Sequence, residues 1–235
     1  MIDIHSHLIY GVDDGVKTLD ESIDVLKDLK KAGYSDVIIT PHYIKDSKYT
    51  SDVKENEKRL KKIKKALEKN NIDINVYLGN EIYIDKDIDE LLDSKKIASL
   101  NNTDYLLIEL PLSGEFPEYL EILSYLISRG YEIILAHPER YVSFQKNFNK
   151  VYELEKLGVY FQCNLDSITG KYGEDAKNTI IRMLEEKKVT FLGTDIHHKK
   201  EDYAKWVVAK ALILNYISED ELKDILYNNA KAFID

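Results

Sequence analysis

Seven short runs of β-branched and aliphatic residues, at 2–5, 37–40, 76–79, 106–109, 133–136, 160–164 and 190–193, alternate with segments of helical periodicity. No other feature constrains the fold as much. A strand that returns through a helix joins its neighbour in parallel, and the helices cover the sheet. Between the first two runs, Thr18 and Glu21 have capping-box spacing, Leu19, Ile23, Leu26 and Leu29 recur at helical intervals, and Gly33 ends the segment. Residues 116–129 repeat the unit, with Pro117 in the first turn, Leu120, Leu123 and Ile127 on one face, and Gly130 as the stop. A second capping box, Ser218 with Glu221, predicts a terminal helix over 218–228. Without a Pro-, Gly- or Ser-rich linker or a repeat, the pattern predicts one α/β domain over 1–235, closed into a barrel rather than left open.

Composition narrows the function. No apolar run approaches the ~18 residues a membrane span needs. The opening Met1-Ile2-Asp3-Ile4-His5 enters a strand-like run with no basic start and long apolar stretch, so a cytoplasmic location is expected. The single cysteine, Cys163, excludes an internal disulfide and a thiolate-rich zinc site, leaving nitrogen and oxygen as metal ligands. A formal net charge of -9 argues against nucleic acid as the main partner. Residues 54–69 carry eight basic side chains around a thin stripe of Leu60, Ile63 and Leu67. They are read as a solvated helix face, with docking of an acidic partner or a membrane surface as the alternative. The seventeen tyrosines are assigned to packing.

The chemically informative residues cluster at the C-terminal ends of the proposed strands, where a parallel barrel gathers its active site. Strand one ends in Asp3-Ile4-His5-Ser6-His7, and period-two alternation puts both histidines on one side. The following loop carries Asp13 and Asp14 between Gly11 and Gly15; alone, such a segment is a turn. Strand two ends in Thr40-Pro41-His42, strand three in Gly79-Asn80-Glu81, and strand four at Glu109. Strand five ends in His137-Pro138-Glu139-Arg140 and strand seven in Asp195-Ile196-His197. Singly, each has a structural explanation as a cap, an ion pair or a satisfied buried histidine. Gathered on one rim without a metal, they would carry heavy desolvation and repulsion costs. A cluster of divalent cations resolves that conflict, and imidazole with carboxylate suits zinc, manganese or iron(II).

This ordered set, together with Tyr141 after Arg140, resembles the polymerase-and-histidinol-phosphatase superfamily. The Asp-x-His-Ser-His opening, Asp13-Asp14-Gly15 and the His-Pro-Glu-Arg block are similar to one branch of it: the manganese-dependent protein tyrosine phosphatases of Gram-positive capsule and exopolysaccharide systems. The resemblance spans residues 1 to about 200 and implies a distorted seven-stranded (β/α) TIM-like barrel, in agreement with the strand count. It implies three ions, with Mn2+ favoured over Fe2+ or Zn2+. His5, His7, Glu81 and Asp195 would hold the first, Glu81, Glu109 and His137 the second, and Asp14, His42 and His197 the third. Arg140, one of four arginines, would bind the phosphoryl group. A second arginine present in some members after Asp-x-His is missing; Lys199 or Lys200 stands nearest.

The implied reaction is hydrolysis of phosphotyrosyl protein, with a bacterial tyrosine kinase tail as partner and metal-activated water as nucleophile. Cys163, in Gln162-Cys163-Asn164, lacks the glycine-rich, arginine-ended loop of thiolate phosphatases and is read as core. Glu139 is considered as an acid for the leaving group. The alternatives are a histidinol-phosphate phosphatase with the same cluster, an amidohydrolase, for which no middle-strand ligand lysine is found, and a kinase-tail-binding module without turnover.

Overall fold

The computed structural model describes residues 1–113, 118–198 and 203–234. The chain folds as a distorted (β/α) barrel of seven parallel strands. β1 (Ile2–Asp3), β2 (Asp36–Ile39) and β4 (Asn75–Leu78) pair in the order β1-β2-β4. β3 (His42–Tyr43), β5 (Glu81–Tyr83), β6 (Tyr105–Glu109), β7 (Glu132–Ala136), β8 (Tyr160–Asn164) and β9 (Phe191–Gly193) continue the sheet in the order β3-β5-β6-β7-β8-β9. β2 with β3, and β4 with β5, are single barrel strands, each broken for two residues at Thr40-Pro41 and Gly79-Asn80. Proline has no amide hydrogen for the ladder, and the Asn80 amide instead binds the Pro41 carbonyl at 2.9 Å. Both strands therefore kink at one level, and pairing resumes with His42 opposite Glu81.

The ring closes between the last strand and the first. Asp195 N donates to His5 O and His7 N to Ile196 O, both at 2.9 Å, around a parallel bridge from Ser6 to Ile196. Asp3, fully buried, fastens the same seam, accepting from Thr194 N at 3.0 Å and Thr194 Oγ1 at 2.6 Å. Burial holds its carboxyl up at about 6 despite those bonds.

Helices wrap the outside. α1 (Leu19–Lys31) begins with the Thr18–Glu21 capping box and buries Ile23, Leu26 and Leu29, as its periodicity predicts. α2 (Val53–Lys69), capped by Asp52, buries Leu60, Ile63 and Leu67, so its lysines line the outer face. In α4 (Tyr119–Ser128), preceded by the short α3 (Ile88–Asp93), the buried positions are Tyr119, Leu123 and Leu126. The stripe is thus rotated from the expected Leu120, Leu123 and Ile127, because Leu120 and Ile127 flank the contact line and are only partly buried. Phe116 and Pro117 lie outside the described residues. α5 (Val142–Lys146), α6 (Asn149–Leu157), α7 (Glu174–Glu185) and α8 (Tyr203–Ile213) complete the wrap. The Ser218–Glu221 capping box is present, but the expected helix over 218–228 is a short α9 (Glu219–Lys223), then a π turn and a 3-10 turn. That change of winding brings Ala230 and Phe233 under the barrel, against Ile2, Ile38, Leu107, Ile134 and Phe191.

Along each strand, inward positions change from apolar at the bottom to polar at the top. Tyr105 and Leu107 belong to the apolar floor, and Glu109, next in the period-two series, reaches the rim. Tyr160 likewise precedes Gln162 and Asn164. The floor is a packed core and the upper half a polar chamber.

Candidate metal centre

His5, His7, Glu81 and His137 are buried almost completely, and Asp195 and Glu109 nearly so, at 4% and 8% exposure. Glu81 stands at the centre. Its Oε2 lies 3.1 Å from His5 Nε2, 3.2 Å from His7 Nε2 and 3.0 Å from His42 Nδ1, and its Oε1 lies 2.9 Å from His137 Nε2. Asp195 Oδ1 faces the same two nitrogens, at 3.5 Å from His5 Nε2 and 3.3 Å from His7 Nε2. Glu109 approaches His137 Nε2 at 3.6 Å and His42 Nδ1 at 3.7 Å. Asp14, half exposed on its loop, is 3.6 Å from His42 Nε2 and 3.5 Å from His197 Nε2.

Three nests of ligand atoms result: His5, His7, Glu81 and Asp195; His42, Glu81 and Glu109; and His7, Asp14, His42 and His197. The nests hold eight of the nine residues named from the sequence; His137, expected with Glu81 and Glu109, is in none of the three, where His42 stands instead, although its Nε2 meets Glu81 at 2.9 Å and Glu109 at 3.6 Å. The structure adds that His42 faces two nests, Nδ1 toward Glu81 and Nε2 toward Asp14, and that His7 borders the third, its ring stacked on His197 at 3.9 Å.

Two of these candidate ligands occupy left-handed backbone, where a side chain with a Cβ is strained: His137 at φ 34° and Asp195 at φ 50°. Each turns off its strand end, held by a backbone bond, His137 N to Gln162 O at 2.7 Å and Asp195 N to His5 O at 2.9 Å. Gly15 is required by close approach, since a Cβ there would come within 2.2 Å of His7 O. This contact seats the Asp13-Asp14 loop on the first strand.

The outer supports are equally defined. His5 Nδ1 meets Gln162 Oε1 at 2.7 Å, and His7 Nδ1 meets Asp13 Oδ2 at 2.8 Å. Both bonds turn Nε2 toward the nest, the arrangement by which neighbouring groups orient metal-binding imidazoles. Asp13 also accepts from Gly15 N and His42 N, so the residue read as a turn former makes that turn and orients the site besides. Asp195 Oδ2 accepts from Asn164 Nδ2 at 2.7 Å and Arg140 Nη1 at 2.9 Å. The guanidinium lies 4.4 Å over the Tyr172 ring. Gln162 and Asn164 carried no role in the sequence reading; their signal was polarity at two inward positions of an otherwise apolar strand.

Charge is distributed to match. Burial alone would discharge His5, but Glu81 and Asp195 outweigh it and push the imidazole up to about 9. His7 rises well above its ordinary range against the same burial, chiefly through its bond to Asp13. Burial would raise Glu81, yet the surrounding His5 and His42 hold it well below the usual carboxylate range. Glu109 is raised, by burial and then by Glu81. A carboxylate rich in imidazole neighbours, beside one forced toward neutrality, is a site lacking positive charge.

The fit to cations rests on orphaned atoms. Glu81 Oε2 and His42 Nδ1 are buried without a well-directed hydrogen bond among the described residues, although nitrogens crowd that oxygen. Carboxylate oxygens and imidazole nitrogens converging on one point are what a divalent ion satisfies, taking the place of the protons the imidazoles otherwise hold. Glu139, weighed above as an acid, is anchored through one oxygen, while its Oε2 is buried without a partner among the described residues. It is fully buried, and its Oε1 accepts from Asn164 N at 2.9 Å and Ser167 Oγ at 2.6 Å. Cys163 is buried, its thiol pushed well up by burial and by Glu139, so it is no nucleophile. Lys199 and Lys200 lie outside the described residues.

Fold and site together define a class: a parallel-barrel hydrolase equipped for divalent cations at the C-terminal rim. Within that class the chain belongs to the CpsB/CapC family of capsular polysaccharide synthesis, whose model matches residues 1–235. It is 32% identical over 201 residues to the tyrosine-protein phosphatase YwqE of Bacillus subtilis (strain 168), which covers 85% of this chain and 78% of that protein. A structure from work on YwqE and on CpsB of Streptococcus pneumoniae, described there as unique metal-dependent tyrosine phosphatases, matches with a TM-score of 0.91 at 28% identity, covering 100% of this chain and 94% of that one. The histidinol phosphate phosphatase of Lactococcus lactis matches with a TM-score of 0.59 at 15% identity over 92% of this chain and 93% of that one, a likeness of fold alone. Among the described residues no helix is long and apolar enough to cross a membrane.

Proposed function

We propose that the chain is a cytoplasmic, manganese-dependent protein-tyrosine phosphatase whose residues 1–235 act as one catalytic domain, with the phosphotyrosyl tail of a bacterial tyrosine kinase as substrate. Its curated relative YwqE and its whole-length structural match are tyrosine phosphatases. In this reading His5, His7, Glu81 and Asp195 hold one ion, Glu81, Glu109 and His137 a second, and Asp14, His42 and His197 a third. The single observation that carries it is Glu81 Oε2, buried among three imidazole nitrogens at 3.0–3.2 Å without a well-directed hydrogen bond among the described residues. Divalent ions held there would supply Lewis acidity toward phosphoryl oxygens and a lowered pKa for water.

The protein's own groups do the positioning. Gln162 and Asp13 fix the His5 and His7 rings, and Asn164 fixes Asp195. Arg140 spends one N–H on Asp195 and keeps the remainder of its fork for a phosphoryl oxygen, with Tyr172 holding its plane. Glu139 is held through Oε1 alone, with Oε2 buried and unpartnered among the described residues. A phenolate leaves with a conjugate-acid pKa of about 10, which reduces the need for a dedicated acid.

The test is phosphate release by the purified protein with manganese, comparing a phosphotyrosyl peptide and histidinol phosphate, before and after chelation and in His5→Ala. Preference for the peptide, lost on chelation and in the variant, is expected. Preference for histidinol phosphate would move the substrate assignment to an alkyl ester.

A further inference from the structure

Several lysines of this surface have a carboxylate partner. Lys27 faces Asp24, Lys30 faces Asp73, Lys45 lies against Asp85, Lys187 against Glu221 and Lys188 against Glu155. The outer face of α2 instead groups four lysines that have none. Lys58, Lys61, Lys62 and Lys65 are all exposed, and none has an ion-pair partner among the described residues. Arg59, between them, is committed: it pairs with Glu55 at 2.9 Å, donates to Tyr10 O at 2.8 Å and lies over the Tyr10 ring at 5.0 Å. These four lysines, with Glu55, Arg59 and Tyr10, line a surface cavity of about 500 Å³. Four unpaired lysines gathered on one concave patch repel one another, a cost that nothing in the packing of α2 requires. Its buried stripe of Leu60, Ile63 and Leu67 is satisfied without them.

The patch also has an address. Tyr10, which Arg59 clamps to α2, begins the loop that Gly11 N closes onto Val16 O at 2.8 Å and that presents Asp14 to the third nest. Asp14 is four positions along the chain from Tyr10, a reach of at most about 14 Å. An extended peptide covers that span in about four to five residues.

We propose that this face of α2 is a docking surface for an acidic segment of the phosphotyrosyl substrate, set about four to five residues from the phosphotyrosine in the rim. The proposal rests on the phosphatase reading and deepens it to substrate selection. Lysine is the cation suited to such recognition, because long, mobile ammonium groups read net negative charge without demanding one geometry, whereas the bidentate fork of Arg140 works at the reacting phosphate. The contribution falls mainly on association and on KM, since these groups lie away from the reacting atoms.

The test compares the full-length, manganese-loaded protein with Lys58→Glu/Lys61→Glu/Lys62→Glu/Lys65→Glu and with the same four positions changed to Gln. The probes are para-nitrophenyl phosphate, a phosphotyrosyl peptide with a neutral flank, and one with three aspartates four to six residues from the phosphotyrosine. At low salt the Glu variant is expected to lose about tenfold in kcat/KM on the acidic peptide, through KM, with the Gln variant between. Unchanged turnover of the other two substrates shows that the fold and the metal site are intact, and 0.5 M salt should erase the difference. Equal losses on all three substrates, or none on the acidic peptide, would overturn the proposal. So would loss of binding to phosphatidylserine vesicles with peptide kinetics unaltered, which would make the face a membrane surface. If the wild type hydrolyses none of the substrates, the phosphatase reading fails by itself. Anisotropy of a labelled acidic peptide then still decides the surface, with wild-type binding lost in the Glu variant supporting it and indifference to the variant overturning it.

Discussion

Asp13 Oδ2 sits 2.8 Å from His7 Nδ1, and the same carboxylate accepts from the backbone of His42 and Gly15. One side chain therefore fixes the tautomer and direction of one candidate ligand, the backbone position of a second, and the turn that carries a third, Asp14. Replacing Asp13 with Ala removes this support without removing a ligand. Outer partners of this kind are worth about 10–100-fold in metal affinity. Manganese titration followed by calorimetry should show a loss in that range, and wild-type affinity in the variant would reduce Asp13 to a turn former.

Glu81 belongs to two of the nests, so its loss should remove more than one ion. Glu81→Gln keeps the shape but halves the oxygen donors and removes the charge that balances His5 and His42. Elemental analysis after dialysis should find at least two fewer bound ions per chain than in wild type, with phosphate release down by at least about a thousandfold. A variant that loses one ion alone would show that the carboxylate is not shared.

The charge of the imidazoles sets a pH dependence that metal should abolish. In the metal-free protein the carboxylates around His5 raise it from 6.5 to about 9, so the folded state binds its proton more tightly than the unfolded chain. That contribution to stability is complete below pH 6.5 and is lost as pH rises through about 9. The Tm of chelated protein should fall across this window, while the manganese-loaded protein, whose ions take the place of those protons, should not show the fall. Manganese affinity should rise over the same interval. A chelated Tm that is level from pH 6.5 to 9 would contradict the charge assignment.

Phe233 closes the barrel floor at 1% exposure, edge-on to Tyr105 at 4.8 Å, with its carbonyl accepting from Asn101 Nδ2. Phe233→Ala leaves a cavity beneath Ile2, Leu107 and Ile134 and should cost about 3–5 kcal/mol by denaturant titration. The metal site lies at the opposite end of the strands, so manganese affinity below the new transition should be unchanged. A coupled loss of both would show that floor and rim are one cooperative unit.

Much of this was legible in the residues. The alternation of short apolar runs with capped, amphipathic segments dictated seven parallel strands and their helices, because each pattern is local and answers to backbone hydrogen bonding and the burial of one face. His5, His7, His42, Glu81, Glu109, His137 and Asp195 were placed on a common rim by the same logic, since a strand end fixes where its last side chain lies. What the sequence did not disclose depended on contacts between distant segments. Gln162 is 157 positions from His5, and only barrel closure brings its oxygen to Nδ1. The rotation of the α4 stripe and the change of winding after Lys223 were set by what those helices meet, not by their own periodicity. The local pattern chose the strands and supplied the candidate ligands. Closure of the ring aimed them, because orienting an imidazole or orphaning a buried carboxylate oxygen takes neighbours that only the folded chain provides.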